Sequence, residues 1–171
     1  MTGAQDTPPG TRRRTILMAL VAVLVALAVG GGSYWALACP CVRTPGLYVR
    51  GTEATAPVTD WSFANKVPVC QIQVDAGLLP HAVNINCMAA STGQLYLSCA
   101  GCEGKRWSTA ALANDQGWLK LDDTVYPVTL TRVLEPAELD QAWDARAVKT
   151  QNPNAVGHRD ATWWSFRVTS R

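Results

Sequence analysis

An uninterrupted apolar segment near the N-terminus constrains this chain more than any other feature. Ile16 to Ala38 is a run of 23 residues without a charged side chain. At about 1.5 Å rise per residue, a helix of that length is roughly 35 Å long, which is enough to cross the hydrocarbon core of a bilayer. Tyr34 and Trp35 lie near its end, where interfacial aromatic residues are common. The sequence predicts a transmembrane anchor or signal segment over residues 15–38.

The charges before this segment predict its orientation. Arg12, Arg13 and Arg14 directly precede the apolar run, and Asp6 is the acidic residue on that side. Positively charged flanks stay in the cytoplasm. We therefore expect residues 1–14 to be a cytoplasmic tail. The expected product is a single-pass protein of the cell membrane with an extracytoplasmic C-terminal domain.

Three fates of the apolar segment stay open at this level. The first is an uncleaved anchor. The second is a cleaved signal, because Ala36 and Ala38 give the small-x-small spacing of a cleavage site and Arg13-Arg14 loosely resembles a twin-arginine export signal. The third is a lipoprotein with Cys39 as the lipidated residue.

The charge of the remaining chain argues against a nucleic-acid partner. The sequence has 15 Lys and Arg and 13 Asp and Glu, and three arginines and one aspartate lie before the apolar run. Twelve basic and twelve acidic residues remain beyond Ala38. A neutral domain lacks the basic footprint of nucleic-acid binding.

All six cysteines lie beyond the apolar segment: Cys39, Cys41, Cys70, Cys87, Cys99 and Cys102. An even number outside the cytoplasm favours structural disulfides, with the last four as the candidates. The two-residue spacing of Cys99 and Cys102 is also typical of redox pairs and of half a zinc site. Free thiols, a redox pair and a metal site therefore stay open beside disulfides, although we expect no metal.

Alternating residues predict a β-hairpin at the start of the folded domain. Residues 39–58 have the composition of a linker, and residues 59–171 are expected to form the domain. Val67 to Val74 and Ala82 to Cys87 alternate apolar and polar residues around a loop with Gly77 and Pro80. A symmetric hairpin pairs Cys70 with Cys87, where a disulfide is predicted.

The same symmetric register pairs Ile72 with Ile85 and Val74 with Val83, so that all six side chains share one face. The opposite face carries amides: Gln71, Gln73, Asn84 and Asn86. This amide-rich face is either exposed to solvent or the wall of a polar pocket.

The rest of the domain alternates strands and helices. Gly93 to Ala100 is predicted to form a strand, and a basic turn that ends at Lys105 and Arg106 follows it. Ser108 is the predicted cap of a short helix that ends at Ala113. A second hairpin is predicted around Asp122-Asp123, then a helix over residues 135–148 and a strand over residues 162–169.

This order of elements and several sequence segments resemble the pyridoxamine 5'-phosphate oxidase-like split β-barrel superfamily, which includes FMN-binding proteins and deazaflavin-dependent reductases. The segments that carry the resemblance are Gly93 to Ala100, Gly104 to Trp107, Ala113 to Asp115, Val125 to Val133 and Glu135 to Glu138. It covers roughly residues 59–171. It implies an α+β, mainly antiparallel split β-barrel with one or two helices.

The resemblance also implies a cofactor site and an activity. In flavin-binding members the strand before the basic loop lies along the flavin ring, which here matches Ser98 and its neighbours. Lys105, Arg106 and Ser108 match the residues that hold the cofactor phosphate. The resemblance therefore implies a flavin or deazaflavin oxidoreductase whose cofactor is FMN or a deazaflavin. It also implies that the protein forms a homodimer. No catalytic side chain is identifiable. A non-catalytic accessory or binding domain and a thiol-disulfide redox protein are the alternatives.

Overall fold

The computed structural model describes residues 9–171 and consists of two units, which are treated separately. The first unit is the helix α1, Pro9–Ala38, whose segment Arg12–Ala38 is long and apolar enough to cross a membrane. Residues 1–8 of the predicted cytoplasmic tail lie outside the described residues. Residues 9–14 belong to the helix.

The second unit is a closed six-stranded antiparallel barrel with a short additional strand. The strands are β1 Thr52–Glu53, β2 Cys70–Asp75, β3 Pro80–Ala89, β4 Leu95–Ala100, β5 Gln116–Leu121, β6 Thr124–Arg132 and β7 Trp163–Ser170. Their order is β1-β6-β5-β2-β3-β4-β7, and pairing between β6 and β7 closes the barrel. This is the α+β split-barrel class expected from the sequence.

Two α-helices pack on the barrel. They are α2, Arg106–Ala113, and α3, Pro136–Lys149. Pro136 occupies the first turn of α3, where its missing N–H has no helical partner to lose. Short 3-10 helices span Ser62–Lys66 and Pro153–Ala155.

The barrel interior holds the main hydrophobic core. Ile72, Leu97, Leu119 and Phe166 contribute to it from four strands and are fully buried. Alternation of side chains along each strand places these residues on the inner face. A smaller cluster around Trp143, Met88 and Trp163 packs beneath α3 on the outer face.

The predicted register of the first hairpin is wrong by two residues. Cys70 pairs with Ile85, Ile72 with Val83 and Val74 with His81. The reason is a tighter turn than the sequence suggested: the ladder continues to Asp75 and Pro80, so four residues rather than seven connect the strands. A shift of two keeps every side chain on its predicted face, because the period of a strand is also two.

The predicted disulfide candidates nevertheless lie at bonding distance. Cys70 and Cys87 are diagonal neighbours with Cα atoms 5.9 Å apart, and the Cα atoms of Cys99 and Cys102 are 5.5 Å apart. Both separations lie in the range that disulfides occupy. Cys39 and Cys41 form the third pair, with Cα atoms 4.5 Å apart. Residues 9–171 thus have three cysteine pairs at disulfide distance and no free cysteine.

The second hairpin, the helix α3 and the last strand agree with the sequence prediction to within two residues. The prediction that Ser108 caps the short helix is wrong. The helix begins at Arg106, and Ser108 lies inside its first turn with its hydroxyl donating to the carbonyls of Cys102 and Lys105. A serine inside a helix can instead donate its hydroxyl to a preceding backbone carbonyl.

Candidate functional site

A gap between strands lies where β3 stops pairing with β2 and begins pairing with β4. β3 pairs with β2 over residues 80–85 and with β4 over residues 86–89, and the pairing of β4 with β3 ends at Ser98. β3 and β4 therefore separate beyond that pair, between Ile85 of β3 and Cys99 of β4. A cavity of about 690 Å³ lies at this position and is called the cleft below. Pockets of this size hold small-molecule ligands in many proteins.

One wall of the cleft is built by the segment that follows the membrane helix. Residues 39–46, here called the strap, lie against the outer face of the hairpin. Gly46 and Ala82 exchange backbone hydrogen bonds of 2.8 and 2.9 Å. Within the strap, the backbone of Cys41 and Thr44 forms a turn with bonds of 3.0 and 2.6 Å.

The amide-rich face of the hairpin holds the strap in place. The Gln71 amide donates to the carbonyl of Pro40 at 3.3 Å and to Asn84 Oδ1 at 3.0 Å. The Asn84 amide donates to the carbonyl of Val42 at 3.1 Å. Asn84 also lines the cleft. Of the two alternatives for this face, the wall of a polar pocket is the one that the structure supports.

The charged residues that line the cleft are both cations. Arg43 comes from the strap and Lys105 from the loop before α2, and both side chains are exposed. Among the described lining residues there is no acid, and Asn84 and Asn86 add amide groups. The donor set is therefore suited to an anion, since ammonium and guanidinium groups form charge-assisted hydrogen bonds with phosphate and carboxylate oxygens.

Two of the four residues predicted to bind a cofactor reach the cleft. Ser98 lines it, although its hydroxyl lies 3.3 Å from both Met88 Sδ and Ser165 Oγ on the opposite side of the strand. Lys105 lines it with its ammonium group donating to the carbonyl of Ala100 at 2.9 Å. A single hydrogen bond leaves two of the three ammonium protons for another acceptor.

The other two predicted residues point elsewhere. Arg106 donates from Nη2 to the carbonyl of Ala76 at 3.3 Å, on the side of the β2–β3 turn. Ser108 is fully buried, and its hydroxyl is occupied by two carbonyls. The structure does not assemble the four residues into one phosphate clamp. Arg43, which lies outside the segment that resembles the family, lines the same cleft as Lys105 instead.

Two half-buried cations were missed by sequence reasoning. Lys149 donates to the carbonyls of Ala64 and Cys87 at 2.9 and 2.7 Å, and burial lowers the pKa of its ammonium group. The guanidinium carbon of Arg132 lies 3.8 Å from the centroid of the Trp164 ring. Arg132 Nη1 is buried without a hydrogen-bond partner among the described residues, and burial also lowers the pKa of this group. The stacking on Trp164 compensates part of the missing hydrogen bonding.

A polar cluster beneath α3 joins this helix to the barrel. The Tyr96 hydroxyl donates to Glu138 Oε1 at 3.2 Å, and Glu138 pairs with Arg167 at 3.4 Å. Burial, and then the charge of Glu138, raises the pKa of Tyr96 to about 12. Tyr96 is therefore a neutral hydrogen-bond donor that attaches α3 to the barrel.

Comparisons with known proteins support the fold. No protein-family model and no curated protein matches the sequence. Among solved structures, Rv2991, a conserved hypothetical protein of Mycobacterium tuberculosis, matches with a TM-score of 0.52 and 13% identity over 70% of this chain and 86% of that one. A candidate pyridoxamine 5'-phosphate oxidase from Listeria innocua matches with a TM-score of 0.50 and 10% identity over 63% and 87%.

An FAD-binding protein from Mycobacterium smegmatis is similar at a TM-score of 0.43 and 16% identity, over 68% of this chain and 96% of that one. The two matches with TM-scores of 0.52 and 0.50 support the fold of the barrel. At these identities the similarity establishes the architecture of the barrel and not its ligand.

Proposed function

We propose that this chain is a membrane-anchored, extracytoplasmic binding domain whose cleft takes the phosphate group of an anionic ligand. The observation that carries the proposal is the charge of the cleft: its charged lining residues, Arg43 and Lys105, are both cationic. Nothing in the proposal requires a catalytic side chain. It develops the accessory-domain alternative from the sequence.

Titration of the full-length protein with FMN and with inorganic phosphate tests the binding site. One charge-assisted hydrogen bond contributes about 1.5–3 kcal/mol, which corresponds to roughly ten- to a hundredfold in affinity. We expect Lys105→Ala and Arg43→Ala each to weaken binding at least tenfold. Arg106→Ala is the matched control, because its side chain points away from the cleft, and it should bind like the wild type.

Two results would contradict the site. Absence of binding by any phosphate-bearing probe at millimolar concentration would refute an anion-binding cleft. An Arg106→Ala variant as weak as Lys105→Ala would instead support the phosphate clamp implied by the family resemblance. Circular dichroism of each variant separates lost binding from lost folding.

A flavin-dependent oxidoreductase is the second candidate. One observation favours it: the end of β4, from Ser98 to Ala100, lines the cleft beside Lys105, as the resemblance implies. A flavin held there would supply the redox chemistry, and the barrel would bind and orient it. The absorption spectrum of protein purified without denaturant tests this candidate, since a flavoprotein retains the visible bands of oxidised flavin.

The anchored topology needs its own test. A reporter that is active only outside the cytoplasm should be active when fused after Arg171. Replacing Arg12, Arg13 and Arg14 with Asn removes the orienting charge and should reduce that activity. The intact mass of the membrane-bound protein distinguishes an uncleaved anchor from cleavage after Ala38. Activity of a cytoplasmic reporter in the wild type would overturn the orientation.

A further inference from the structure

One wall of the cleft is formed by residues that follow the membrane helix closely in sequence. Arg43 is the fifth residue after Ala38, the last residue of α1. An extended chain spans at most 3.3–3.6 Å per residue, so a connection of five residues reaches at most about 18 Å. The turn between Cys41 and Thr44 shortens this reach further.

Hydrogen bonds attach the strap to the barrel at both of its ends. Asn84 and Gln71 bind the carbonyls of Val42 and Pro40, and the bridge to Ala82 holds Gly46. Arg43 lies between these attachment points. The wall of the cleft and the segment that leaves the membrane are therefore one continuous piece of chain attached to the barrel.

The rim of the cleft also exposes apolar side chains. Val42 of the strap is 87% exposed and Val69, just before β2, is 53% exposed. Both line the cleft, and both also line a second cavity of about 550 Å³ on the other side of Val42. A cleft with two cations and an apolar rim suits an amphiphile with an anionic head better than it suits a free ion.

We propose that the ligand of the cleft is a membrane lipid, whose anionic phosphodiester head lies between Arg43 and Lys105 while its apolar part contacts Val42 and Val69. This inference rests on the proposed function, because it names the source of the phosphate group. The shared chemistry is a phosphate ester, and a soluble phosphate ligand such as FMN is the other source. Binding at the membrane surface needs no release of the lipid into water.

The test uses the full-length protein in maltoside micelles and counts retained lipids by native mass spectrometry. The probes are phosphatidylglycerol, phosphatidylcholine, FMN and inorganic phosphate. Phosphatidylcholine is the matched lipid because its own ammonium group neutralises the phosphate. We expect phosphatidylglycerol to bind at least tenfold more tightly than phosphatidylcholine. Arg43→Ala and Lys105→Ala should each reduce that preference about tenfold.

Arg50→Ala and Arg106→Ala are the controls, since both residues are exposed and neither lines the cleft. Equal retention of the two lipids, or a preference that survives in Arg43→Ala and Lys105→Ala, overturns the lipid proposal. If FMN or phosphate binds in a Lys105-dependent manner and phosphatidylglycerol does not, the lipid proposal fails while the proposed function stands. If none of the four probes binds, both fail.

Discussion

The two faces of the hairpin formed by β2 and β3 are stabilised by different interactions. The inner face buries Cys70, Ile72 and Val74 completely or nearly so, whereas the outer face binds the strap through Gln71 and Asn84. A fully buried aliphatic side chain contributes about 1.5–3 kcal/mol, and a typical hydrogen bond contributes about 0.5–1.5 kcal/mol net. The inner face therefore determines whether the barrel folds, and the outer face determines whether the cleft has its second wall.

Substitution on the inner face should cause the largest loss of stability. Ile72 is fully buried in the barrel core, and truncation of such a side chain to Ala costs about 2–5 kcal/mol. Gln73→Ala is the matched control on the neighbouring outer position, where one hydrogen bond from the Val49 N–H is lost. We expect a loss of about 1 kcal/mol there. Urea unfolding of the full chain in micelles measures both, and equal losses would contradict the division between the faces.

Loss of the half-buried hydrogen bonds of Lys149 should lower the unfolding free energy by an amount between those two losses. Lys149→Met keeps most of the side-chain volume but removes the donor to the carbonyls of Ala64 and Cys87. Buried acceptors without partners cost about 1–3 kcal/mol, so we expect a lower unfolding free energy by that amount. The exposed Lys66→Met is the control and should change stability by less than about 0.5 kcal/mol. An unchanged stability in Lys149→Met would show that desolvation of the ammonium group cancels its hydrogen bonds.

The inner face was predictable because it follows from local alternation. The pattern from Cys70 to Val74 identifies the buried side chains whichever register the strands adopt, since a shift of two residues preserves the face. The register itself depends on the length of the turn between Asp75 and Pro80, which the sequence does not determine. Cys70 and Cys87 lie at disulfide distance although the predicted register was wrong, because diagonal neighbours can also be within bonding distance.

The cleft was less predictable because its parts are distant in sequence. Asn84 meets Val42 across 42 residues, and no periodicity links the strap to the hairpin. The four amides on one face were the signal that this face has a partner. The positions of Arg106 and Ser108 depend on where α2 begins, and a start three residues earlier turns Ser108 inwards. Binding of a cofactor by the four predicted residues stays a prediction.

Loss of the strap should change access to the cleft and hardly change the stability of the barrel. Asn84→Ala removes the donor to Val42 and the acceptor for Gln71. If these hydrogen bonds contribute about 1 kcal/mol, their loss makes detachment of the strap from the hairpin roughly fivefold more frequent. We expect trypsin to cleave after Arg43 about five times faster, with cleavage after Arg50 as the internal reference. Asn86→Ala on the same face is the control, and an equal acceleration in that variant would argue against a specific attachment by Asn84.

The smallest effect should be a pH dependence that comes from the inner face. His81 lies opposite Val74 at the turn end of the hairpin and is 9% exposed. Burial, and then the positive charge of Arg106, lowers the pKa of its imidazole below the usual range. In the unfolded chain this pKa is about 6.5, so the imidazole binds a proton more tightly in the unfolded chain than in the folded barrel. The stability that neutral His81 contributes is complete above pH 6.5 and is lost as the pH falls through the pKa of the folded state.

The folded and unfolded states differ by at most one proton bound to His81. The unfolding free energy can therefore change by at most about 1.4 kcal/mol per pH unit. We expect the unfolding free energy to fall between pH 7 and pH 5, and His81→Gln to remove most of that fall. Asp60 and Asp160 do not contribute in this window, because hydrogen bonds from Ser62 and Thr162 lower the pKa of each carboxyl further below it. Arg106→Gln separates the two causes. If the slope becomes shallower but persists in that variant, burial is the larger cause. If the slope disappears, the charge of Arg106 dominates, and its side chain acts on the hairpin turn rather than on a ligand in the cleft.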